Sequence, residues 1–332
     1  MTNDELQEIL GAHKLWLEGE GGARADLRGQ VLVSADLHGA DLSGAYLEKA
    51  NLMGANLKET NFTGADLEGA ILDGAQMARA RFNGAIMTGV CMIRAHAHDA
   101  SFVHTEMEKA DATEADFRGA DFTRAGMWKA DLTNAELDGA NLTLARLDNS
   151  SAQCASFVGA NLRDAILSAA DLRSADLRGA NLMGAILSGS NMTDASCQGA
   201  NMEGAELDDT NLTGANLSSA RGLIDPVSYL KVQCERTKEG YIVYKSFGEY
   251  FENPWKVEPG AVIRETVNPL PTADCGSGIN VGTRGWTQRN CRKQVWRCLI
   301  RWEWLPSVVV PYNTTGKFRT GWLEILEPVN GQ

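Results

Sequence analysis

Residues 223–332 of this chain contain no histidine, and the whole chain is short of aromatic residues (7%), proline (8) and positive charge, with 31 Lys and Arg against 43 Asp and Glu. Each shortage removes a class of function. Without histidine, residues 223–332 lack the most common general base for acyl or phosphoryl chemistry. A deficit of Lys and Arg argues against direct nucleic-acid binding, which draws its affinity from counterion release. The seven cysteines, Cys91, Cys154, Cys197, Cys234, Cys275, Cys291 and Cys298, are odd in number and form no Cys-x-x-Cys pair. They fit free thiols in a reducing compartment better than a disulfide framework. Asp4, Glu5 and Glu8 stand where a signal peptide would be basic, and no apolar run approaches a membrane span. These features predict a cytoplasmic protein of a bacterium or phage, with no membrane association and no cofactor.

What is present divides the chain in two. Residues 1–220 carry 16 Lys and Arg and 32 Asp and Glu, whereas residues 221–332 carry 15 and 11, together with most of the tryptophan. In the first part, from Leu27 to Leu217, positions ending in 2 or 7 are, with few exceptions, large and apolar and positions ending in 0 or 5 are almost all Ala. The unit reads Ala-Asp-Leu-x-x or Ala-Asn-Leu-x-x, as at Ala35-Asp36-Leu37 and Ala215-Asn216-Leu217, often with Gly before the next Ala.

A period of five is neither the 3.6 of a helix nor the 2 of a strand. A coil that turns a corner at every unit explains it. The large residue and the small one two before it point inward, and the other three positions face water. Phe62, Phe82, Phe102 and Phe122 fall on every fourth unit, which predicts four corners per turn and an aromatic column. Around Phe102 the inward positions Ala97 and Ala112 are small, and Phe157 follows Ala152, as a fixed core volume requires.

These 39 consecutive units resemble the pentapeptide-repeat family over about 60% of the chain. The resemblance implies a mainly β fold, a right-handed quadrilateral β-helix, over residues 23–222. Ten coils at a spacing of about 4.8 Å make a rod about 48 Å long. Residues 1–22 read as a capping helix, with Thr2 or Asn3 at its start and Leu6, Ile9, Leu10, His13 and Leu17 at helical spacing over the first coil. The phrase His13-Lys14-Leu15-Trp16-Leu17 followed by Gly21-Gly22 also resembles the leader of bacterial and phage members.

Past Gly222 the period stops, and residues 223–332 read as a small, mainly β domain. Tyr241 to Phe247 is one strand candidate. Alternation in Val295 to Leu305 predicts another, with Trp296, Cys298, Ile300, Trp302 and Trp304 on one face. Asn313 to Gly316 reads as a turn before a strand over Phe318 to Leu326. The segment beginning Gly240-Tyr241, with its Tyr244-Lys245 pair, Pro259-Gly260 and Cys275-Gly276-Ser277-Gly278, resembles a domain of unknown function attached to pentapeptide repeats.

Two sets of candidate site residues follow. Asp274 and Cys275 in a glycine-rich turn, with Glu265, Asn280 and Arg284 nearby, would form a reactive-thiol or ligand site, against the plainer reading of a tight turn holding a buried thiol. Neither Walker nor dinucleotide spacing is present, and Cys234, Cys275, Cys291 and Cys298 are too irregularly spaced for a zinc pattern. His96, His98 and His104 point from two different faces of the coil, so no metal is expected there. On the coil, Glu106, Glu108, Glu206, Asp208 and Asp209 form the candidate partner-binding surface.

The family resemblance raises DNA mimicry, since some members imitate duplex DNA and bind DNA gyrase. Duplex DNA would place roughly 28 charges along about 48 Å, whereas residues 23–220 carry a net −12. The expected function is a non-enzymatic scaffold that presents the coil and the carboxyl-terminal domain to an unidentified protein partner. A DNA mimic acting on a topoisomerase and an enzyme or small-ligand binder in residues 223–332 are the alternatives.

Overall fold

A computed structural model describes residues 1–222, 226–247, 257–265, 279–291, 294–308 and 317–329. The chain forms two compact units, residues 1–222 and 223–332.

In the first unit each residue at an outward position just before a large apolar residue bridges in parallel to its counterpart four units further on. The series runs without a break from Asp26↔Tyr46 to Asn201↔Arg221. Four corners therefore close one coil, and no insertion interrupts the register. The main chain explains the repeating alphabet. Leu47 shows the pattern: its N–H donates to Asp66 in the next coil, Tyr46 and Lys49 donate to Ala25 and Glu68, and Ala50 closes the turn onto Leu47. That satisfies four of the five amides. The fifth, one residue after the large apolar side chain, is taken where Asp or Asn precedes that side chain, as in Ser43 to Asp41 Oδ1 (3.0 Å) and Thr123 to Asp121 Oδ1 (2.9 Å). Asp and Asn are thus structural first and charged second.

The residue before each Ala lies in the left-handed region, with φ of 65° at Gly39 and 64° at Gly64, which explains the frequent glycine. Non-glycine residues such as Leu144 (φ 59°) and Ala169 (φ 54°) hold the same conformation at a cost of about 1 kcal/mol each, which the surrounding ladder overcomes.

Inside the coil, the large apolar residues and the alanines are buried almost throughout. The rings of Phe62, Phe82, Phe102 and Phe122 stack nearly parallel with centroids 4.9, 5.0 and 4.8 Å apart, which is the coil spacing itself. Phe117 meets Phe102 and Phe122 edge-on from the adjoining column. Ala97 and Ala112 are fully buried in the same coil, so small residues do fill the space that Phe102 leaves. Where threonine replaces an inward alanine its hydroxyl finds a carbonyl, Thr60 donating to Leu37, Thr105 to Phe82 and Thr210 to Leu187, whereas the buried Ser190 hydroxyl has no partner.

The first coil is covered by α1 (Asn3–Glu18). Thr2 is its N-cap, in a reciprocal capping box with Glu5. Gly19 ends the helix in the left-handed region. Leu6 and His13 are buried, whereas Leu17, expected on the same face, is exposed because the covered stripe stops one turn earlier. His13 Nδ1 accepts from the Ala25 amide (3.0 Å), which ties helix to coil and requires a neutral ring. Trp16 stacks on that ring. Gly22 makes the connection possible, since a Cβ there would collide with the Ala12 carbonyl.

The second unit is a seven-stranded antiparallel sheet curled into a half-barrel. Its strands are β1 (Glu235–Arg236), β2 (Gly240–Ser246), β3 (Val262–Arg264), β4 (Ile279–Gly282), β5 (Val295–Arg301), β6 (Lys317–Thr320) and β7 (Trp322–Pro328), in the order β3-β7-β5-β2-β4-β6 with β1 on β2. Two short helices, α2 (Pro226–Gln233) and α3 (Arg284–Asn290), accompany it. Tyr241, Val243, Cys298, Ile300, Phe318 and Ile325 lie at the centre of its core.

The predicted strand over Val295 to Leu305 ends early, at Arg301. Trp302–Ser307 form a 3-10 turn, so Trp302 and Trp304 do not continue the strand face. The Trp302 amide donates to Glu239 and its indole to Lys238, which draws the chain off the ladder, and Pro306 has no N–H with which to rejoin it. The predicted strand over Phe318 to Leu326 is likewise two strands, divided at Gly321, whose amide donates to Ser307 Oγ. The turn expected at Asn313 to Gly316 lies outside the described residues.

Two outcomes are expected. Phe102→Ala removes the middle of the stacked column and should destabilise the coil by about 3 to 5 kcal/mol in calorimetric or denaturant unfolding; a loss well under about 1 kcal/mol would contradict the packing described. Burial holds the His13 pKa below its ordinary 6.5, with the Asp41 carboxylate and Ser43 carbonyl opposing it. The helix contact is therefore fully stable above pH 6.5 and weakens as pH falls from there through the depressed value. Hydrogen exchange across residues 3–18, corrected for intrinsic rate, should show that loss of protection.

Candidate functional site

The five acidic residues singled out on the coil share one face. The bridge series Ile86, Glu106, Gly126, Arg146, Ile166, Ile186, Glu206 places Glu106 and Glu206 five coils apart, about 24 Å. Glu108 pairs with Lys109 at 2.8 Å, and Trp128, between Lys109 and Lys129, occupies the next coil. The acidic residues therefore form two patches, Glu106 with Glu108 and Glu206 with Asp208 and Asp209, separated by mixed and apolar surface.

Elsewhere on the coil the carboxylates have local duties. Asp116, Asp171 and Asp176 each hold the arginine two residues on, at 2.8, 2.7 and 2.6 Å, and those contacts lower all three pKa values. Asp26 does the same with Arg28 and is brought to about 2. On another face Asn201, Asn181 and Asn161 each donate to the asparagine one coil earlier, ending at Asn141, in a side-chain ladder. His98 approaches Asp116 at 4.0 Å, and no group of three or more metal-ligating side chains occurs among the described residues.

In the second unit, Asp274 and Cys275 lie outside the described residues. The remaining members of that constellation are separated. Arg284 lines a cleft of about 350 Å³ with Tyr244, Arg297 and Glu327, where Arg297 forks between Glu235 (3.0 Å) and Glu327 (3.1 Å). Asn280 lines a different cavity of about 130 Å³, with Lys245, Trp286, Thr287, Cys291 and Lys317. Its carbonyl accepts from Lys245 Nζ at 3.0 Å. Glu265, exposed after β3, helps to keep Lys245 charged.

Lys245 is the residue that sequence reasoning passed over as a site. Tyr241 and Val243 face the core, so period-two alternation carries Lys245 to the same face of β2. A charged residue at an inward strand position was the available signal. Burial, followed by the like charge of Lys317, lowers its pKa, while Cys298, Glu265 and Cys291 act in the other direction.

Four of the described thiols are poor nucleophiles. Burial pushes Cys91 up to about 11 and Cys197, Cys234 and Cys298 up to about 12, so these remain protonated at neutral pH. Among the described residues no helix is long and apolar enough to cross a membrane.

Comparison with known proteins agrees with the coil. The pentapeptide-repeat family matches repeatedly, over residues 23–58, 50–89, 91–128, 129–164, 153–189, 165–196 and 190–221. Among solved structures, HetL, a pentapeptide repeat protein involved in heterocyst differentiation regulation from the cyanobacterium Nostoc sp. strain PCC 7120, is 26% identical with a TM-score of 0.50, covering 68% of this chain and 100% of HetL. Rfr23 from the cyanobacterium Cyanothece 51142 is 37% identical over 27% of this chain and 62% of its own, with a TM-score of 0.27. Full-length QnrB1, a plasmid-mediated fluoroquinolone resistance protein, is 22% identical over 59% of this chain and 90% of its own, with a TM-score of 0.25. None of the curated proteins compared with this chain matches it. With the repeat matched from residue 23 to residue 221 and its parallel bridge series in place, the chain belongs to the pentapeptide-repeat family.

Proposed function

We propose that this protein is a non-enzymatic scaffold whose right-handed quadrilateral β-helix, over residues 23–222, presents flat faces to a protein partner in the cytoplasm. The domain of residues 223–332 is a second binding element on the same chain. The observation that carries this reading is the unbroken hydrogen-bond ladder from coil to coil. It makes the outward side chains a pre-ordered array, so a partner that docks on them loses little conformational entropy from this side of the interface. Family members are generally structural or interaction proteins, and HetL is described as involved in heterocyst differentiation regulation.

Docking on the acidic patches at Glu106 with Glu108 and at Glu206 with Asp208 and Asp209 would favour a partner with basic groups spaced by about 24 Å. DNA mimicry is the weaker reading. A mimic needs a continuous row of free negative charge. Here Asp26, Asp116, Asp171 and Asp176 are each matched by an arginine on the same face, and Lys109, Lys129 and Arg146 interrupt the two patches.

Two measurements test this. Supercoiling by DNA gyrase should be unchanged at micromolar concentrations of the protein, and inhibition there would favour the mimic instead. Changing Glu206→Lys, Asp208→Lys and Asp209→Lys together in the full chain should weaken a captured partner by roughly tenfold or more, with circular dichroism unchanged. Equal capture by the changed protein would remove this face from the interface.

A further inference from the structure

The end of the coil that α1 covers carries an open main-chain edge. In the second coil the Asn56 amide donates to the Ala35 carbonyl, and the Asn56 and Lys58 carbonyls accept from Leu37 and Gly39. The equivalent groups of the first coil are the Asp36 N–H and the Asp36 and His38 carbonyls, and no coil precedes them. Among the described residues these groups have no hydrogen-bond partner, and past the next corner the Asp41 N–H and carbonyl have none either. The His38 ring does not close the edge, since it turns to the Lys58 carbonyl of the next coil at 2.9 Å. Nor does α1 close it: between its residues 7–18 and residues 36–41 of the coil lies a groove of about 550 Å³.

Shape and charge restrict the occupant. Leu10 and Leu17 of α1 stand on one side of the groove and the open edge, with Ala40, on the other. A helix facing a free strand edge admits an extended main chain, which can pair with the edge and lay alternate side chains toward the helix. Residues 7–18 run for about 17 Å along α1, the length of about five extended residues. The carboxylates of Glu18, Asp36 and Asp41 line the groove against the single amine of Lys14, which already lies 3.9 Å from Glu18. Asp36 and Asp41 accept through Oδ1 from the His38 and Ser43 amides and from the side chains of Asn56 and Asn61, and among the described residues no Lys or Arg pairs with either. A basic strand therefore complements this groove and an acidic one is repelled.

We infer that this groove binds an extended, basic peptide segment of another protein, which adds as a strand to the open edge of the first coil and sets Lys or Arg against Asp36 and Asp41. Its main chain bonds to Asp36 and His38 as each later coil bonds to the coil before it. Its aliphatic side chains pack on Leu10 and Leu17. The groove lies at the end of the coil and not on its flat faces, so the inference goes beyond the scaffold reading. The two stand or fall separately, because the acidic patches at Glu106 and Glu206 take no part in this one.

Selection of linear peptides of about nine residues from a displayed library on the full chain, followed by fluorescence anisotropy with the synthesised winners, tests this. Enrichment of Lys or Arg among aliphatic residues is expected, with saturable one-to-one binding. Single N-methyl groups at alternate peptide positions should abolish binding, because they remove the N–H groups that donate to Asp36 and His38. Leu17→Lys, at an exposed position, should weaken binding roughly tenfold or more with the thermal unfolding transition unchanged. Asp36→Asn together with Asp41→Asn keeps the Oδ1 acceptors and should weaken it roughly fivefold. Failure to select any saturable binder would overturn the proposal, as would equal affinity in Leu17→Lys or tolerance of N-methylation at every position. A dimer of the full chain that Leu17→Lys disperses would overturn it as well, by assigning the groove to a second copy.

Discussion

Four corners, each closed by hydrogen bonds to the next coil, leave an interior of fixed cross-section into which every corner sends one large and one small side chain. Most features of the first unit follow from that geometry. Alanine recurs because the space beside a leucine or phenylalanine is already taken. In the coil of Phe102, Ala97 at an adjacent corner and Ala112 at the opposite one keep the interior within its volume. The left-handed residue before each alanine turns the corner, and the Asp or Asn after the alanine accepts the one amide that the ladder leaves over. A sequence under these demands has little freedom indoors and a great deal outdoors.

That division shapes what the protein can do. The outward positions are organised by the same ladder but are chemically varied: an asparagine stack on one face, Arg–Asp pairs on others, and a tryptophan between lysines on a third. Net acidity alone would have suggested an imitation of nucleic acid. Placed on the coil, much of the carboxylate content is structural or paired, and what remains is patchy. A rigid, patterned surface of this kind suits recognition of a protein.

The coil is legible in sequence because its constraint is local and repeats: each residue's surroundings are set by its counterparts one unit and four units away. The half-barrel lacks that regularity. Alternation finds β2 and the start of β5, but the departure at Trp302 depends on bonds to Lys238 and Glu239, in the distant turn before β2, and no local pattern encodes them. Leu17 falls off the covered stripe because helical spacing gives a face without saying how far along it the cover extends. The candidate site shows the same limit. Asn280 and Arg284 are close in sequence yet line different cavities, because β2 meets β4 at the single pair Tyr244↔Gly282 and the chain then turns into α3. Lys245 and Lys317 meet through strand pairing, and their wide separation along the chain does not reveal it.

Residue-resolved hydrogen exchange over residues 25–220 tests the central claim most directly. If each coil hands four of every five amides to main-chain carbonyls, protection should follow a period of five, with the residue after each large apolar position, such as Ser43 or Thr123, exchanging fastest. Uniform protection, or a period near 2 or 3.6, would contradict the four-cornered coil.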